Sequence, residues 1–141
     1  MKANVITAEL KRIASEHGGI LRPADVIAEA RPAKSVLHSR FEWDDTVAGR
    51  EYRLWQARHL IRVCVEVGPR NNTPMEVFVS LTPDRGEGGY RVQARVLSNR
   101  KLRAQLLADA KAEAQLYMAK YARLKELGRI FDSIRATFGV E

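Results

Sequence analysis

The chain has 141 residues, of which 45% are hydrophobic and 29% are charged. This size predicts one domain, or one domain with an appendage, and argues against two full domains. No apolar run approaches the ~20 residues of a membrane span, and the charged N-terminal segment lacks the apolar stretch of a secretion signal. The single cysteine, Cys64, excludes an internal disulfide. We therefore expect a cytoplasmic protein without a membrane partner.

The charge balance favours a polyanionic partner. Lysine and arginine number 24 against 17 aspartates and glutamates, so the net charge is +7. Nine basic and five acidic residues fall in 98–141, which makes the C-terminal third the most basic part. A basic protein of this size attracts nucleic acid, but a charge of this magnitude also keeps a small domain soluble. Charge alone leaves both explanations open.

Two helices are predicted at the N-terminus. The apolar residues of 3–17 share one helical face, and Gly18–Gly19 ends that helix. Pro23 suits a first helical turn and begins a second, short helix. That helix ends before Arg31–Pro32, because a proline disfavours helical geometry in the residue before it.

A third helix is predicted over 45–61, with Asp44 as its N-cap. An aspartate there accepts a hydrogen bond from a free backbone N–H and suits the positive end of the helix. Trp43 and Trp55 are predicted to be largely buried. The apolar stripe of this helix is Val47, Leu54 and Ile61.

The hydrophobic period then changes from 3.6 to 2, which predicts strands over 62–67, 75–81 and 90–96. A turn over 68–74 and a flexible loop over 82–89 join them. Because consecutive strands with short links pair antiparallel, we expect one three-stranded antiparallel sheet.

The last segment predicts one long helix from Ser98 to about Phe138, which only Gly128 interrupts, with Gly128 and Arg135 as faults in its apolar heptad seam. The fold class is thus α+β. A winged-helix-like N-terminal helical unit and the sheet form domain 1–97, and the long C-terminal helix forms 98–141. The distal half of that helix carries more apolar surface than one stripe needs, which predicts a homodimer. Alternatively, the helix breaks at Gly128 and the tail folds back. The predicted oligomer interface consists of Tyr117, Tyr121, Leu124, Phe131 and Phe138.

No catalytic motif is present in the sequence. The three histidines lie far apart, and Cys64 is interpreted as a small strand residue. Glu42, Asp44 and Asp45 have the chemistry to hold a divalent cation, but helix capping explains them better. We therefore predict no catalytic residue, no metal and no cofactor.

Two sets of basic residues are candidate phosphate contacts, one on the third helix and one around the third strand and the start of the last helix. The loop over 82–89 is a candidate wing that would add two arginines. A solvated charged face explains any one set equally well. The predicted nucleic-acid-binding residues are Arg50, Arg53, Arg58, Arg62, Arg85, Arg91, Arg95, Arg100, Lys101 and Arg103.

A motif in 37–62 carries a resemblance. A Leu-His pair precedes Phe-Glu-Trp-Asp-Asp, and the following helix ends in Gln-Ala-Arg-x-Leu-Ile-Arg. In this pattern the chain resembles a group of small proteins predicted from phages and prophage regions. The resemblance implies a mobile-element setting in a bacterial host cell and no catalytic residues. The matching positions are Leu37, His38, Phe41, Glu42, Trp43, Asp44, Asp45, Gln56, Ala57, Arg58, Leu60, Ile61 and Arg62.

The order of helices and hairpin also resembles winged-helix DNA-binding proteins, although function does not follow from fold. The first hypothesis is a non-enzymatic DNA-binding protein of phage or prophage type, acting as a homo-oligomer. The alternative is a protein-interaction or assembly factor that works through the C-terminal helix. The third is a metal-dependent nuclease that uses the acidic residues of 42–45.

Overall fold

The structure, a computed structural model, describes residues 2–67 and 73–139, with side chains from residue 5 onward. The chain divides into two compact units between Asn99 and Arg100. Helices dominate both units, and antiparallel strand pairs complete the first one. The predicted combination of helix and antiparallel sheet is confirmed.

The first two helices are α1, Lys2–Glu16, and α2, Pro23–Ala30. Gly18 and Gly19 both have positive φ, 69° and 86°, and the Gly19 N–H donates to the Ala14 carbonyl at 2.8 Å. This left-handed turn ends α1, because glycine adopts positive φ without steric cost. The local signals in the sequence therefore located both helices.

One arginine ties these helices together. The Arg12 guanidinium bonds Glu9 and Glu16 on its own helix and Glu29 on α2, the last at 3.0 Å. Beneath this network the apolar face of α1 packs into the core of the first unit. The buried residues of that face are Ile6, Leu10, Ile13 and Ala14.

The third helix, α3, spans Val47–Val63, and its N-cap is Thr46. The Thr46 hydroxyl accepts a hydrogen bond from the Gly49 N–H at 3.0 Å. Asp44 instead accepts from the Thr46 N–H at 2.9 Å. The prediction that Asp44 caps this helix is wrong, because its side chain closes a local turn two residues long, which aspartate forms readily.

The core-facing side of α3 differs from the predicted stripe. Its buried residues are Gly49, Arg53, Ala57 and Ile61. Val47, which the heptad pattern placed inward, is 71% exposed. The predicted stripe left out Arg53, which was predicted as a phosphate contact but lies on the buried face of α3.

Two antiparallel strand pairs replace the predicted three-stranded sheet. Strand β1, Val65–Val67, pairs with β2, Pro74–Glu76, and β3, Phe78–Val79, pairs with β4, Arg91–Val92. The buried residue Val77 lies between β2 and β3 and bonds both sides: its N–H donates to the Cys64 carbonyl and its carbonyl accepts from Gln93. The middle segment therefore changes partner at Val77. Most of the predicted turn over 68–74 lies outside the described residues.

The third predicted strand, 90–96, is strand only at its start. After β4 the chain forms a short helix, α4, Gln93–Ser98. Val92 and Val96 are both buried and lie four residues apart, a spacing that also fits a helix. Over so few residues, the alternating pattern therefore did not distinguish a strand from a short helix. At the other end, Leu21 and Tyr90 form a single antiparallel bridge, with N–H to carbonyl distances of 2.6 and 2.8 Å.

The loop over 82–89, predicted to be flexible, is held by side-chain contacts. It contains a 3₁₀ turn, Thr82–Glu87, and Gly88 with φ 69°. The Arg91 guanidinium donates two hydrogen bonds, of 2.7 and 3.2 Å, to the Asp84 carboxylate. A bidentate pair of this kind fixes both partners geometrically.

The second unit contains α5, Arg100–Lys120, and α6, Gly128–Phe138. The prediction of one helix to Phe138 is wrong, because the chain turns after Lys120 and Gly128 begins the next helix. The Phe131 ring packs edge-on against Tyr117, with centroids 5.8 Å apart. Folding back buries Phe131, which one straight helix would leave exposed. None of the helices described here combines the length and the apolar character needed to cross a membrane.

Candidate nucleic-acid interface

The outer face of α3 carries three aromatic residues. With Arg53, Ala57 and Ile61 buried, the 3.6-residue period directs Trp55 to the opposite side of the helix. Tyr52 and His59 lie three residues before and four residues after Trp55, so all three rings share that exposed side.

The three rings stack on one another along the helix. The Tyr52 and Trp55 centroids are 5.7 Å apart with planes inclined by 14°, and those of Trp55 and His59 are 5.2 Å apart with planes inclined by 4°. We call Tyr52, Trp55 and His59 the aromatic ladder. Trp55 is 50% exposed and Tyr52 is 48% exposed. Large aromatic groups left exposed in one patch mark interaction sites.

Two arginines flank the aromatic ladder. Arg58 follows Trp55 by three residues, Arg62 follows His59 by three, and the two arginines lie one helical turn apart. Both are exposed, and neither has an ion pair or side-chain hydrogen bond with another described residue. Glu51 is the acidic residue on this side of α3 and is also exposed. The face therefore combines a stacking surface with two arginines that form no ion pair with Glu51.

Other arginines of the first unit are neutralised within the fold. Arg12 meets three carboxylates, Arg22 bonds Glu87 at 2.7 Å, and Arg91 is held by Asp84. Arg91 was a predicted phosphate contact, and its bidentate pairing removes it from the candidate interface. Arg85 remains exposed, although its guanidinium also donates to the Ser80 carbonyl at 3.2 Å.

Arg53 was also predicted to contact phosphate, but it is 2% exposed. Its guanidinium donates to the main-chain oxygens of Glu42 and Asp44 and lies over the Trp43 ring. A guanidinium held this way has no open side for a phosphate. Arg53 is therefore a structural residue, and we leave it out of the interface.

The remaining predicted basic residues are exposed in separate places. Arg50 lies in the first turn of α3, away from the aromatic ladder, and Arg95 lies on α4 of the first unit. The other three fall in the first turn of α5, in the second unit: Arg100, Lys101 and Arg103.

The two tryptophans have different surroundings. Trp43 is half-buried: its ring stacks on His38 at 4.9 Å, and its Nε1–H donates to the His38 carbonyl at 3.0 Å. The prediction that Trp55 is buried is wrong. The sequence did contain a signal for the ladder, the spacing of residues 52, 55 and 59. We missed it because large aromatic residues are usually assigned to cores.

The acidic residues of 42–45 do not form a metal site. The Asp44 carboxylate is engaged by Thr46, whose hydrogen bonds lower the pKa of that carboxyl. Across the described parts of the chain, no three His, Cys, Asp or Glu side chains are grouped so as to hold a metal ion. Cys64 is buried, and burial raises the pKa of its thiol. A thiol of raised pKa is a poor nucleophile at neutral pH.

The predicted oligomer interface is divided by the turn after α5. Phe131 is buried against Tyr117, whereas Tyr121 and Phe138 are half-buried. Tyr117 and Leu124 keep substantial exposure, and other large apolar side chains of the second unit are exposed with them. These are Leu107, Leu116 and Ile130.

Comparison of the chain with protein-family models, with curated proteins and with solved structures finds no match. The aromatic ladder and the charges beside it are therefore the features of the molecule that point to a function.

Proposed function

We propose that this protein binds nucleic acid, without catalysing a reaction on it, through the outer face of α3. The observation that carries the proposal is the stacked, half-exposed aromatic ladder flanked by Arg58 and Arg62, which have no internal acid partner. A core-packing role does not account for this arrangement, because the same helix already buries its opposite side.

Two interactions, electrostatic attraction to phosphates and stacking on bases, would supply the binding free energy. Arginine guanidinium groups neutralise phosphates and release counterions, which supplies affinity independent of sequence. Aromatic rings stack on the π-faces of bases, and this stacking adds affinity without hydrogen bonds that recognise the base sequence. From Tyr52 to Arg62 the face extends about 15 Å along the helix, enough for several nucleotides.

DNA in a phage or prophage setting, and a homo-oligomeric state, remain parts of the proposal. The exposed apolar side chains of the second unit, Leu107, Leu116 and Ile130, support a protein–protein contact there. That contact would accompany nucleic-acid binding and would not replace it. Within the described residues, no group of His, Cys, Asp or Glu side chains supports the metal site that the nuclease hypothesis needs.

The test is fluorescence anisotropy with labelled DNA over a salt series, on the full chain. The variant Arg58→Gln/Arg62→Gln removes two phosphate contacts, so the slope of log K against log salt should flatten by about 1.8 on duplex or about 1.4 on single strands. Arg129→Gln is the matched control, since it removes one exposed charge of the second unit. Glu51→Gln should tighten binding.

Absence of binding at about 50 mM salt, where the electrostatic affinity is strongest, would overturn the proposal. An Arg129→Gln variant that loses as much affinity per charge as the α3 variant would place the contact elsewhere.

A further inference from the structure

We infer that the ligand of the α3 face is single-stranded nucleic acid, whose unpaired bases stack on the two ends of the aromatic ladder. This inference rests on the proposed function and narrows it to a substrate class. It follows from which ring faces are covered and which are open.

Trp55 is the central ring of the ladder and has a stacked neighbour on each side. Tyr52 covers one side of its indole and His59 covers the other, with centroids 5.7 and 5.2 Å away. Nearly parallel rings at these centroid distances are offset, so each neighbour covers only part of the indole face, and half of Trp55 stays exposed. The outer faces of Tyr52 and His59 have no further aromatic partner among the described residues.

Both ends of the ladder are exposed: Tyr52 is 48% exposed, and His59 is exposed as well. Ala48, one turn before Tyr52, has only a methyl group, which is small beside the tyrosine ring. At the other end Arg62 follows His59, and its planar guanidinium can pair with a phosphate or stack on a base. A base placed at either end continues an existing stack, and the protein rings are already ordered before binding. Less conformational entropy is then lost on association.

Duplex DNA does not fit these open faces. In a duplex every internal base has both faces covered by its neighbours, and proteins read base edges with polar side chains. The ladder offers π-faces, with polar groups only at its margin. Unpaired bases present the faces that stack on aromatic side chains, which is how single strands and loops are bound. The positive charge of Arg58 and Arg62 complements the phosphate backbone of such a strand.

The experiment compares three labelled probes on the full chain: oligothymidylate, oligouridylate and a DNA duplex of equal length. We expect both single strands to bind more tightly than the duplex. Trp55→Ala removes the centre of the ladder and should weaken single-strand binding by about 5- to 150-fold, the range for loss of base stacking. Trp55→Phe retains a ring and should recover most of that loss, and duplex binding should change little in either variant.

Because Trp55 is exposed, both variants are expected to fold, and circular dichroism checks this directly. Val36→Ala is the control for loss of an exposed apolar side chain, because Val36 is 49% exposed and lies outside α3. Tighter duplex binding, or equal losses on all three probes in Trp55→Ala, overturns the single-strand inference and leaves the proposed function standing. No binding of any probe overturns both.

Discussion

The Arg53 guanidinium lies 5.4 Å from the centroid of the Trp43 ring, although only 2% of Arg53 is exposed. The same guanidinium donates to the main-chain oxygens of Glu42 and Asp44. One cation thus fastens the segment before α3 to the buried side of that helix. In the sequence Arg53 resembles part of a basic patch, but in the structure it is a buried residue that stabilises the fold. The exposed arginines of α3 lie on other sides of the helix.

Replacing Arg53 should therefore lower stability. Arg53→Gln removes charged hydrogen bonds to two carbonyls and the contact with Trp43, and we expect a loss of about 3 kcal/mol in the free energy of unfolding. Arg53→Lys should recover only part of this, because an ammonium lacks the planar fork that reaches both oxygens. Urea denaturation measures the change. Arg50→Gln, at an exposed position of the same helix, should fall within about 0.5 kcal/mol of the wild type; a similar loss in both variants would contradict the assignment.

The N-cap of α3 gives a second prediction. Thr46→Ala removes the hydroxyl that accepts from the Gly49 N–H, and we expect it to cost about 1 kcal/mol. Thr46→Ser retains the hydroxyl and should stay close to the wild type. Both are compared by urea denaturation. Equal stability of the alanine and serine variants would show that the cap bond contributes nothing.

Gly49 lies where the start of α3 meets the turn at Asp44. A Cβ at Gly49 would fall 2.5 Å from the Asp44 carbonyl oxygen and 2.8 Å from its Cβ. Gly49→Ala should therefore destabilise the protein by about 2 kcal/mol through overpacking, although alanine favours helix more than glycine does. Gly86→Ala is the control, because a Cβ there meets nothing within 4 Å. Thermal denaturation of the two variants decides the point, and a stabilised Gly49→Ala would refute it.

Acid should destabilise the protein through Glu9 and Asp44. Hydrogen bonding to Arg12 lowers the pKa of Glu9, and hydrogen bonds from Thr46 lower that of Asp44. The unfolded chain, whose carboxyls keep their ordinary pKa near 4, then binds protons first as the pH falls. The stability contributed by these groups is complete above that ordinary pKa and is lost as pH falls through the lower, folded values.

Urea denaturation between about pH 6 and pH 2 measures this loss. The variant Glu9→Gln/Asp44→Asn should show a shallower fall in the free energy of unfolding than the wild type. Identical pH profiles would contradict the assignment of the acid sensitivity to these two carboxyls.

The sequence predicted the two N-terminal helices best, because local signals mark where they end and begin. Gly18, Gly19 and Pro23 end one helix and begin the next by their own backbone preferences, with no help from distant residues. No local signal marks Val77, where the middle segment stops pairing with β1 and starts pairing with β4. This change depends on strands that are distant in the sequence. The turn after Lys120 is similar: no glycine or proline marks residues 121–124, and the contact between Tyr117 and Phe131 accompanies it.

Of the candidate site, too, the sequence predicted some residues and missed others. The sequence predicted Arg58 and Arg62 as phosphate contacts, and both side chains are exposed, as arginines usually are. It misplaced Arg53 and Trp55, because general preferences for exposed charge and buried aromatic rings were applied where the fold reverses both. The spacing of residues 52, 55 and 59 opposite Ala57 and Ile61 was the pattern that identifies the ladder.

The most direct measurement of the central claim is the pair of tryptophan indole N–H signals in a ¹H–¹⁵N correlation spectrum, recorded during titration with oligothymidylate. Trp43 has its indole N–H bonded to the His38 carbonyl and serves as the internal reference, whereas Trp55 lies in the aromatic ladder. Binding at the α3 face predicts that the Trp55 signal shifts progressively while the Trp43 signal stays near its starting position. A Trp55 signal that remains unmoved when the protein is saturated with oligonucleotide would contradict the account.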